Sequence, residues 1–212
     1  MGRAKDIVIK VIPSKVANDF IKKHHYSGKV VNNSKLHFGA FLDGGLHGVM
    51  SFGPSINKKG TIKLVKGTKW NEFIELNRMA FDDYLPRNSE SRSISQAIKL
   101  IKKHAPHIKW IISFADACSC GDGTIYRASG FKLTDIRKND ALRIDPNTGE
   151  YVHIITAFHR QIKDFRTWKT VDGYQLRYIY LIDKTCELTV PEIPFSKIKE
   201  LGISMYKGKK VT

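Results

Sequence analysis

Cysteine is scarce in this chain, and long hydrophobic runs are lacking. Three cysteines, two of them in the close pair Cys118-x-Cys120, are too few for a disulfide framework, and one such pair is not a zinc site by itself. No run approaches the roughly 20 apolar residues of a membrane span, and the opening MGRAKDIVIK lacks the apolar core of a secretory signal. We therefore expect a soluble, cytoplasmic protein without a membrane partner.

Acidic residues are also few relative to basic ones. The chain has 36 Lys and Arg against 20 Asp and Glu, a formal net charge of +16. Residues 1–67 carry 12 basic and 3 acidic groups, residues 68–159 carry 13 and 11, and residues 160–212 carry 11 and 6. A nearly neutral centre between basic flanks is typical of a catalytic region beside phosphate-binding surfaces, although basic proteins with other roles exist. The charge thus predicts a nucleic-acid partner.

The hydrophobic pattern predicts a mixed fold of strands and helices. We expect strands at residues 7–12, 36–42, 46–52, 73–81, 110–114, 132–136, 151–158 and 174–182. Helices are expected from Ser14, as the cap, to His24 with Gly28 as the stop, over 93–104, and from near Thr124. Asp43-Gly44-Gly45 predicts a tight hairpin turn. The segment to Lys69 is expected to be an exposed loop, and Pro191 to begin a basic, irregular tail.

The stretch from Lys109 to Phe131 combines a buried strand, a glycine-bearing loop and a helix start. This order predicts that Asp116 and Tyr126 lie near one another at a sheet edge, where a carboxylate and a phenol are candidates for proton transfer. Structural alternatives remain open, because Asp116 also suits a turn cap and Tyr126 an amphipathic core position.

Polar residues in two other places need partners. Arg78 lies with Glu75 and Asn77 in an otherwise apolar strand, so it either pairs with a carboxylate or receives an anion in a cleft. His25 and Tyr26 follow the first helix, where they either complete the helix end or take part in chemistry.

The order of elements resembles that of the GCN5-related N-acetyltransferase (GNAT) superfamily, and Tyr126 to Phe131 resembles its Tyr-x-x-x-Gly-Phe element. The resemblance implies a GNAT-like α/β (α+β) fold: a mostly antiparallel central sheet with helices on both faces, here with a basic C-terminal extension. In that superfamily the tyrosine commonly protonates the departing thiolate of coenzyme A. One departure is that residues 87–93 lack the glycines of the superfamily's pyrophosphate loop.

A closer resemblance covers most of the chain. The His25-Tyr26-Ser27 run, Leu76-Asn77-Arg78, the serine-rich start of the second long helix, Asp116 followed ten residues later by Tyr126, and residues 174–188 look like the Mom family of bacteriophage proteins. These convert adenine in phage DNA to N6-carbamoylmethyladenine, which hides the DNA from host restriction. The resemblance therefore implies anti-restriction modification of double-stranded DNA in the host cytoplasm, a catalytic domain over residues 1–160, and a C-terminal strand and basic tail over 161–212 packed on that domain.

The resemblance also assigns roles to residues. The implied catalytic residues are Asp116, Tyr126, Tyr26 and His25. Those implied to bind the donor or substrate are Arg78, Asn77, Ser91, Ser93 and Arg92. The lysines expected to contact DNA are Lys29, Lys35, Lys58, Lys59, Lys207, Lys209 and Lys210. Phe52 or Phe81 is expected to stack on an extruded base.

The sequence leaves alternatives open for the group donor, for a bound metal and for the functional class of the protein. The donor is either an acyl-CoA or a glycine-derived unit, and iron is implied by the family resemblance, with His25 and Asp116 as its ligands if any. The alternative functions are an ordinary acyl-CoA-dependent N-acetyltransferase and a DNA-binding protein that has kept the GNAT scaffold without catalysis. Nothing in the sequence indicates the oligomeric state.

Overall fold

The structure is a computed structural model and describes residues 2–117, 121–171, 173–203, 205–206 and 209–210. The strands are β1 (Val8–Val11), β2 (Leu36–Leu42), β3 (Gly45–Gly53), β4 (Phe73–Phe81), β5 (Trp110–Asp116), β6 (Lys132–Asn139), β7 (Leu142–Ile144), β8 (Tyr151–His153), β9 (Gly173–Leu181), β10 (Met205–Tyr206) and β11 (Lys209–Lys210). The α-helices are α1 (Ser14–His24), α2 (Lys58–Thr61), α3 (Ser89–His104), α4 (Thr124–Ala128), α5 (Ile154–His159) and α6 (Ser196–Glu200).

Seven strands form the central sheet in the order β1-β2-β3-β4-β5-β9-β6. The β1–β2, β2–β3 and β3–β4 pairs are antiparallel, while β4 and β5 run parallel. The expected mostly antiparallel sheet is therefore confirmed. Two smaller two-stranded sheets pair β7 with β8 and β10 with β11.

The chain divides into two compact units. The first comprises Met1–Phe114, Thr124–Thr134 and Arg177–Ile193, and the second comprises Ala115–Gly123, Asp135–Leu176 and Pro194–Thr212. The catalytic-domain boundary expected near residue 160 stays a prediction.

Helices cover both faces of the sheet in the first unit. Ala17 and Ile21 of α1 pack with Val49 of β3 and Ala80 of β4. Ala40 of β2 belongs to a different cluster from the one that α1 covers, because successive side chains of a strand point to opposite faces of the sheet. This second cluster lies beside β1 and the 3₁₀ turn at Arg3–Asp6, and α3 packs against both of these elements. The expected placement of helices on both faces is therefore confirmed.

The hairpin between β2 and β3 follows directly from its sequence. Asp43 and Gly44 have φ of 52° and 81°, the left-handed values that a primed turn requires, and glycine adopts them without a Cβ clash. The two strands begin and end within a residue of their predicted bounds.

Helix α4 ends on a glycine. Gly130 has φ of 81°, its N–H bonds to the carbonyl of Arg127, and the N–H of Phe131 bonds to that of Tyr126. This is the Schellman pattern, which closes a helix on a glycine and returns the next residue to the core. Phe131 is buried accordingly.

The first helix differs from its expected ends. Pro13, in an extended conformation, precedes it as the N-cap, and Ser14 is its first helical residue rather than a capping one. The helix ends at His24, and Gly28 with φ of 59° lies in the turn beyond it. Val16 of α1 is exposed.

The segment after β3 is not an exposed loop throughout. It forms α2 and a 3₁₀ turn over Ile62–Leu64, and Leu64 and Val65 are buried against Phe73 and Trp110. The sequence contains the apolar residues Ile62, Leu64 and Val65 here, but the lysines around them favour the prediction of an exposed loop.

Residues 151–158 are not one strand. β8 ends at His153, whose Nδ1 accepts the N–H of Ile155 and so caps α5. Ala157 of this helix is buried and Phe158 is exposed.

Two further bounds differ. Helix α3 starts at Ser89, four residues earlier than expected, because Asn88 adopts a left-handed conformation with φ of 70° immediately before it. The residues after Pro194 are not wholly irregular, since they include α6 and the short β10–β11 pair. Five lysines follow Pro194: Lys197 and Lys199 are described, Lys207 lies outside the described residues, and the side chains of Lys209 and Lys210 are not described.

Candidate active site

Strand β4 contains a bulge that gathers its polar residues. Arg78 pairs with Ser51 of β3 and Leu76 with Phe52, which leaves Asn77 as an extra residue on β4. A bulge interrupts the strict alternation of side chains and re-aims them. As a result, the adjacent residues Asn77 and Arg78 both bond to the connection between α1 and β2.

Specific hydrogen bonds hold both residues. Ser34 Oγ donates to Asn77 Oδ1 at 2.7 Å. Arg78 Nε donates to the carbonyl of Lys29 at 3.0 Å, and a terminal nitrogen of the same guanidinium donates to the carbonyl of Asn77 at 2.9 Å. Arg78 is expected either to pair with a carboxylate or to receive an anion, and that choice stays a prediction. The hydrogen bonds described here go to backbone carbonyls, which orient the cation without neutralising its charge.

Gly53 makes this arrangement sterically feasible. A Cβ at Gly53 would lie 2.6 Å from the carbonyl oxygen of Asn33, 2.9 Å from the Cα of Ser34 and 3.0 Å from Asn77 Nδ2. Only glycine therefore lets the backbone at residues 33–34 approach β3 closely enough for Ser34 to bond Asn77.

Glu75 lies on the same strand and is half-buried. The hydroxyl of Ser55, itself buried, donates a hydrogen bond to it. Burial raises the pKa of Glu75, while the hydrogen bond from Ser55 and the charge of Arg78 act in the opposite direction. A carboxyl group of this kind takes up a proton more readily than an exposed one.

His25 completes what we call the β4 cluster: His25, Ser34, Ser55, Glu75, Asn77 and Arg78. Burial, followed by the charge of Arg78, lowers the pKa of His25 to about 4. Its Nδ1 accepts the N–H of Ser27 at 3.1 Å, so the neutral ring carries its proton on Nε2. The Tyr26 ring lies against the imidazole with centroids 4.3 Å apart and is more than half exposed.

Tyr126 lies in the first unit and Asp116 ends β5 in the second. The Tyr126 ring is buried, stacks on Tyr178 at 5.1 Å and meets the edge of Phe131 at 5.5 Å. Asp116 is half-buried, and the N–H of the next residue, Ala117, bonds to the carbonyl of Tyr174. That the two side chains face one substrate atom stays a prediction.

A cavity of about 280 Å³ lies at the N-terminus of α3. Its walls come from the segment before the helix, the first turn of the helix and α4. The residues that line it are Leu85, Pro86, Arg87, Asn88, Glu90, Ser91, Thr124, Ile125 and Ala128. The side chain of Asn88 forms no capping bond, and the N–H of Ser89 already donates to the carbonyl of Pro86. The first-turn N–H groups left for a ligand in this cavity are therefore those of Glu90 and Ser91.

Of the serines and arginine expected to bind the donor, the structure brings only Ser91 to this cavity. Ser93 is fully buried, and its hydroxyl has no hydrogen-bond partner in the described part of the chain. Arg92 is exposed and lies outside the lining. Arg87 and Thr124 were missed as cavity residues because their meeting depends on how α3 packs on α4.

The aromatic residues expected to stack on a base are placed differently. Phe52 is fully buried and meets Phe38 edge to face, so it offers no surface to a base. Phe81 packs in the apolar cluster with Ile7, Ala40 and Leu42, beside Gly48. The expected DNA-contacting lysines Lys29, Lys35, Lys58 and Lys59 are all exposed.

The described residues contain no set of side chains placed to bind iron. Within those residues, no group of three or more His, Cys, Asp and Glu side chains is placed to hold a metal ion. The iron expectation is therefore unsupported, and we derive no step through a metal. Cys118 and Cys120 lie outside the described residues. No described helix is long and apolar enough to cross a membrane.

The fold defines the class to which this chain belongs. It matches the ribosomal-protein-S18-alanine N-acetyltransferase from Escherichia coli with a TM-score of 0.50 at 10% identity, covering 84% of this chain and 94% of the other. It matches a GNAT family acetyltransferase from Elizabethkingia anophelis, solved with acetyl-CoA bound, with a TM-score of 0.52 at 15% identity, covering 82% and 97%. The chain thus has the GNAT acetyltransferase fold.

Sequence similarity identifies the family. The Mom protein family matches residues 6–197, and the chain is 37% identical over 153 residues to "Methylcarbamoylase mom" of Escherichia phage Mu. That match covers 72% of this chain and 62% of the length of the phage protein. This chain belongs to the Mom protein family.

Proposed function

We propose that this chain is a transferase that attaches a carbamoylmethyl group to the N6 of adenine in double-stranded DNA. The observation that carries the proposal is membership of the Mom family over residues 6–197, together with the similarity to a phage methylcarbamoylase. The net charge of +16 supports a DNA substrate. The corresponding role is anti-restriction modification of phage DNA in the host-cell cytoplasm.

The reaction forms one N–C bond and breaks two bonds: the bond between the donor's methylene carbon and its leaving group, and one N–H bond of the adenine. The adenine N6 attacks the methylene carbon of the donor, the leaving group departs with the bonding electrons, and a proton leaves N6. The N6 lone pair is delocalised into the purine ring, so the nitrogen is a weak nucleophile and needs a base and exact placement. The adenine must also leave the base stack, at a cost of a few kcal/mol.

The proposed roles follow from these requirements. Asp116 accepts the hydrogen bond or proton of N6, and Tyr126 and Tyr26 act as acid or positioning groups. His25 has a pKa of about 4 and is neutral at physiological pH, which favours a hydrogen-bonding role over that of a charged proton carrier.

The donor is proposed to lie between two anchors in the first unit. Arg78, oriented by its backbone partners, attracts a carboxylate or phosphate together with Asn77. The cavity at the start of α3 offers first-turn N–H groups, Ser91 and Arg87 to a second anionic group. Either an acyl-CoA or a glycine-derived unit meets this description, but the methylene that bonds to N6 makes simple acetyl transfer insufficient for the proposed product.

The test is to express the chain in bacteria, digest plasmid DNA to nucleosides and measure the mass of deoxyadenosine. A gain of C2H3NO supports the proposal. A gain of C2H2O identifies acetylation of DNA instead, and tight acetyl-CoA binding with acetylation of small amines but unchanged DNA identifies an ordinary acetyltransferase. DNA binding without any transfer identifies the non-catalytic alternative.

Substitutions in the proposed machinery test the roles. Asp116→Asn and Tyr126→Phe should each lower the modification rate by about 10²–10⁴-fold, the usual contribution of a general acid or base. Tyr151→Phe is a control for Tyr126→Phe because Tyr151 is half exposed on β8. Folding is checked by urea unfolding, and substantial product from both folded active-site variants would refute the assigned roles.

A further inference from the structure

Residues 54–71, which we call the lysine segment, combine positive charge with exposed apolar side chains. Between Asp43 and Glu72 the chain contains five lysines, all within this segment, and no acidic residue. Ile56 is 88% exposed and Trp70 is 71% exposed, the two largest exposures among the large hydrophobic side chains of the described residues. Exposed apolar groups among lysines do not suit a purely solvated surface.

The lysine segment is anchored rather than loosely attached. Leu64 and Val65 pack in the core, Val65 forms a bridge with Leu188, and Asn57 caps α2 by accepting the N–H of Gly60. Lys58 Nζ lies 6.0 Å from the centroid of the Trp70 ring. The exposed side chains of Ile56 and Trp70 therefore belong to a segment that is held in place by core packing and hydrogen bonds.

The lysine segment also connects directly to the β4 cluster. Ser55, which precedes Ile56, hydrogen-bonds Glu75 and bonds Thr61 Oγ1 at 3.1 Å. The carbonyl of Pro54 accepts a hydrogen bond from Asn33 Nδ2 at 2.8 Å, next to the Ser34 that holds Asn77. The exposed isoleucine is thus one residue from a side chain that contacts the candidate active site.

We infer that the lysine segment is the surface that engages duplex DNA and helps to extrude the target adenine. Lys58, Lys59 and Lys63 contact phosphates, while Ile56 and Trp70 supply the apolar surface that replaces the lost stacking. Apolar side chains such as isoleucine insert between base steps in proteins that distort DNA, and tryptophan stacks on any unpaired base. The occupant is DNA because the segment carries positive charge only.

This inference rests on the proposed function for the extrusion step, but DNA binding can be measured without any reaction. Binding of a fluorescently labelled DNA duplex is followed by anisotropy over a range of salt concentrations. Replacing Lys58, Lys59 and Lys63 together by glutamine should reduce the magnitude of the slope of log K against log salt by about 2 to 3, since each phosphate contact contributes about 0.9. Lys197→Gln is the control, because Lys197 already pairs with Glu200 at 2.8 Å.

The apolar pair is tested separately. Ile56→Ala and Trp70→Ala should each lower modification of fully paired DNA by about tenfold, the scale of one lost stacking contact. A mismatch at the target adenine lowers the extrusion cost and should restore much of the activity of both variants, but not that of Asp116→Asn. Phe158→Ala is the control, because Phe158 is 67% exposed in the second unit, outside the lysine segment.

The outcomes separate the two hypotheses. If the wild type leaves adenine unchanged, the proposed function fails while the anisotropy still tests the surface. An unchanged salt slope in the triple lysine variant overturns the DNA-contact assignment. The extrusion role is overturned if Ile56→Ala and Trp70→Ala are as active as the wild type on fully paired DNA. It is also overturned if a mismatch at the target adenine fails to restore the activity that these variants lose. If the triple variant instead changes only the oligomeric state, the surface binds a second copy and the inference is wrong.

Discussion

Replacing His25 by glutamine removes an imidazole that the fold keeps neutral. The ordinary pKa of histidine is near 6.5, and in the folded protein burial and then the Arg78 charge lower it to about 4. Between these values the unfolded chain binds a proton that the folded chain excludes. The contribution of His25 to the free energy of unfolding is therefore fully present above the pKa of the unfolded chain. It is lost as the pH falls toward the pKa that His25 has in the folded protein.

The magnitude follows from the two pKa values. Each tenfold difference in proton affinity corresponds to about 1.4 kcal/mol, so a pKa of about 4 in place of 6.5 corresponds to roughly 3 kcal/mol. The wild type should lose about this much free energy of unfolding between about pH 7.5 and about pH 4 through His25 alone.

Other groups change stability in the same range and must be separated from His25. His37 has a pKa lowered by burial and contributes with the same sign. Glu75 has a pKa raised mainly by burial, so its contribution is lost as pH rises and has the opposite sign. The difference between wild type and His25→Gln isolates the His25 contribution, because the other groups are present in both proteins.

The assay is urea unfolding at several pH values, with an NMR titration of the histidine ring protons. His25→Gln should show a shallower loss of stability toward low pH, while His24→Gln, a change at the neighbouring residue, should keep the His25 contribution. Arg78→Met should raise the pKa of His25 only in part, because burial is the larger cause. A measured His25 pKa near 6.5, or equal pH dependence in wild type and His25→Gln, would refute this reasoning.

Two glycine substitutions give further predictions. Gly53→Ala should lower the free energy of unfolding by about 1–3 kcal/mol, because the added Cβ meets the Asn33 and Ser34 backbone; Gly2→Ala, where nothing lies within 4 Å, is the control. The same Gly53 variant should weaken donor binding by displacing Ser34 from Asn77, measured by calorimetry once the donor is known. Gly130→Ala should cost roughly 1–2 kcal/mol in urea unfolding, because its φ of 81° is unfavourable for alanine. Unchanged stability in either variant would contradict the local geometry.

Much of the fold follows from short-range sequence signals. The β2–β3 hairpin and the end of α4 are determined by glycines at positions that need positive φ, and β4 has the predicted bounds. Such features depend on neighbouring residues only, which is why the sequence predicts them well.

The errors in the predicted elements have two physical causes. Leu64 and Val65 become buried because Phe73 and Trp110 provide an apolar surface, and no local pattern indicates that surface. Residues 151–158 are expected to form one strand, but the side chain of His153 caps a helix that begins at Ile154. The first outcome depends on a distant apolar surface, whereas the second depends on a local side-chain cap that competes with strand formation.

The candidate active site also contains some residues that the sequence predicts and others that it does not. The sequence identified Arg78 and Asn77 as polar residues that need partners, yet Ser34 and Ser55 were not predicted, because their contacts depend on the bulge in β4 and on the close approach at Gly53. The assignment of Asp116 and Tyr126 depends on family resemblance, since a strand end and a helix position allow ordinary structural roles as well.

The most direct test of the central claim is a reaction of the purified chain and bacterial extract, as the donor source, with duplex DNA, followed by tandem mass spectrometry of deoxyadenosine. The wild type should give a gain of C2H3NO on the purine fragment, and Asp116→Asn should give none. Unmodified deoxyadenosine with folded, DNA-binding wild type, or the same gain in both proteins, would contradict the claim.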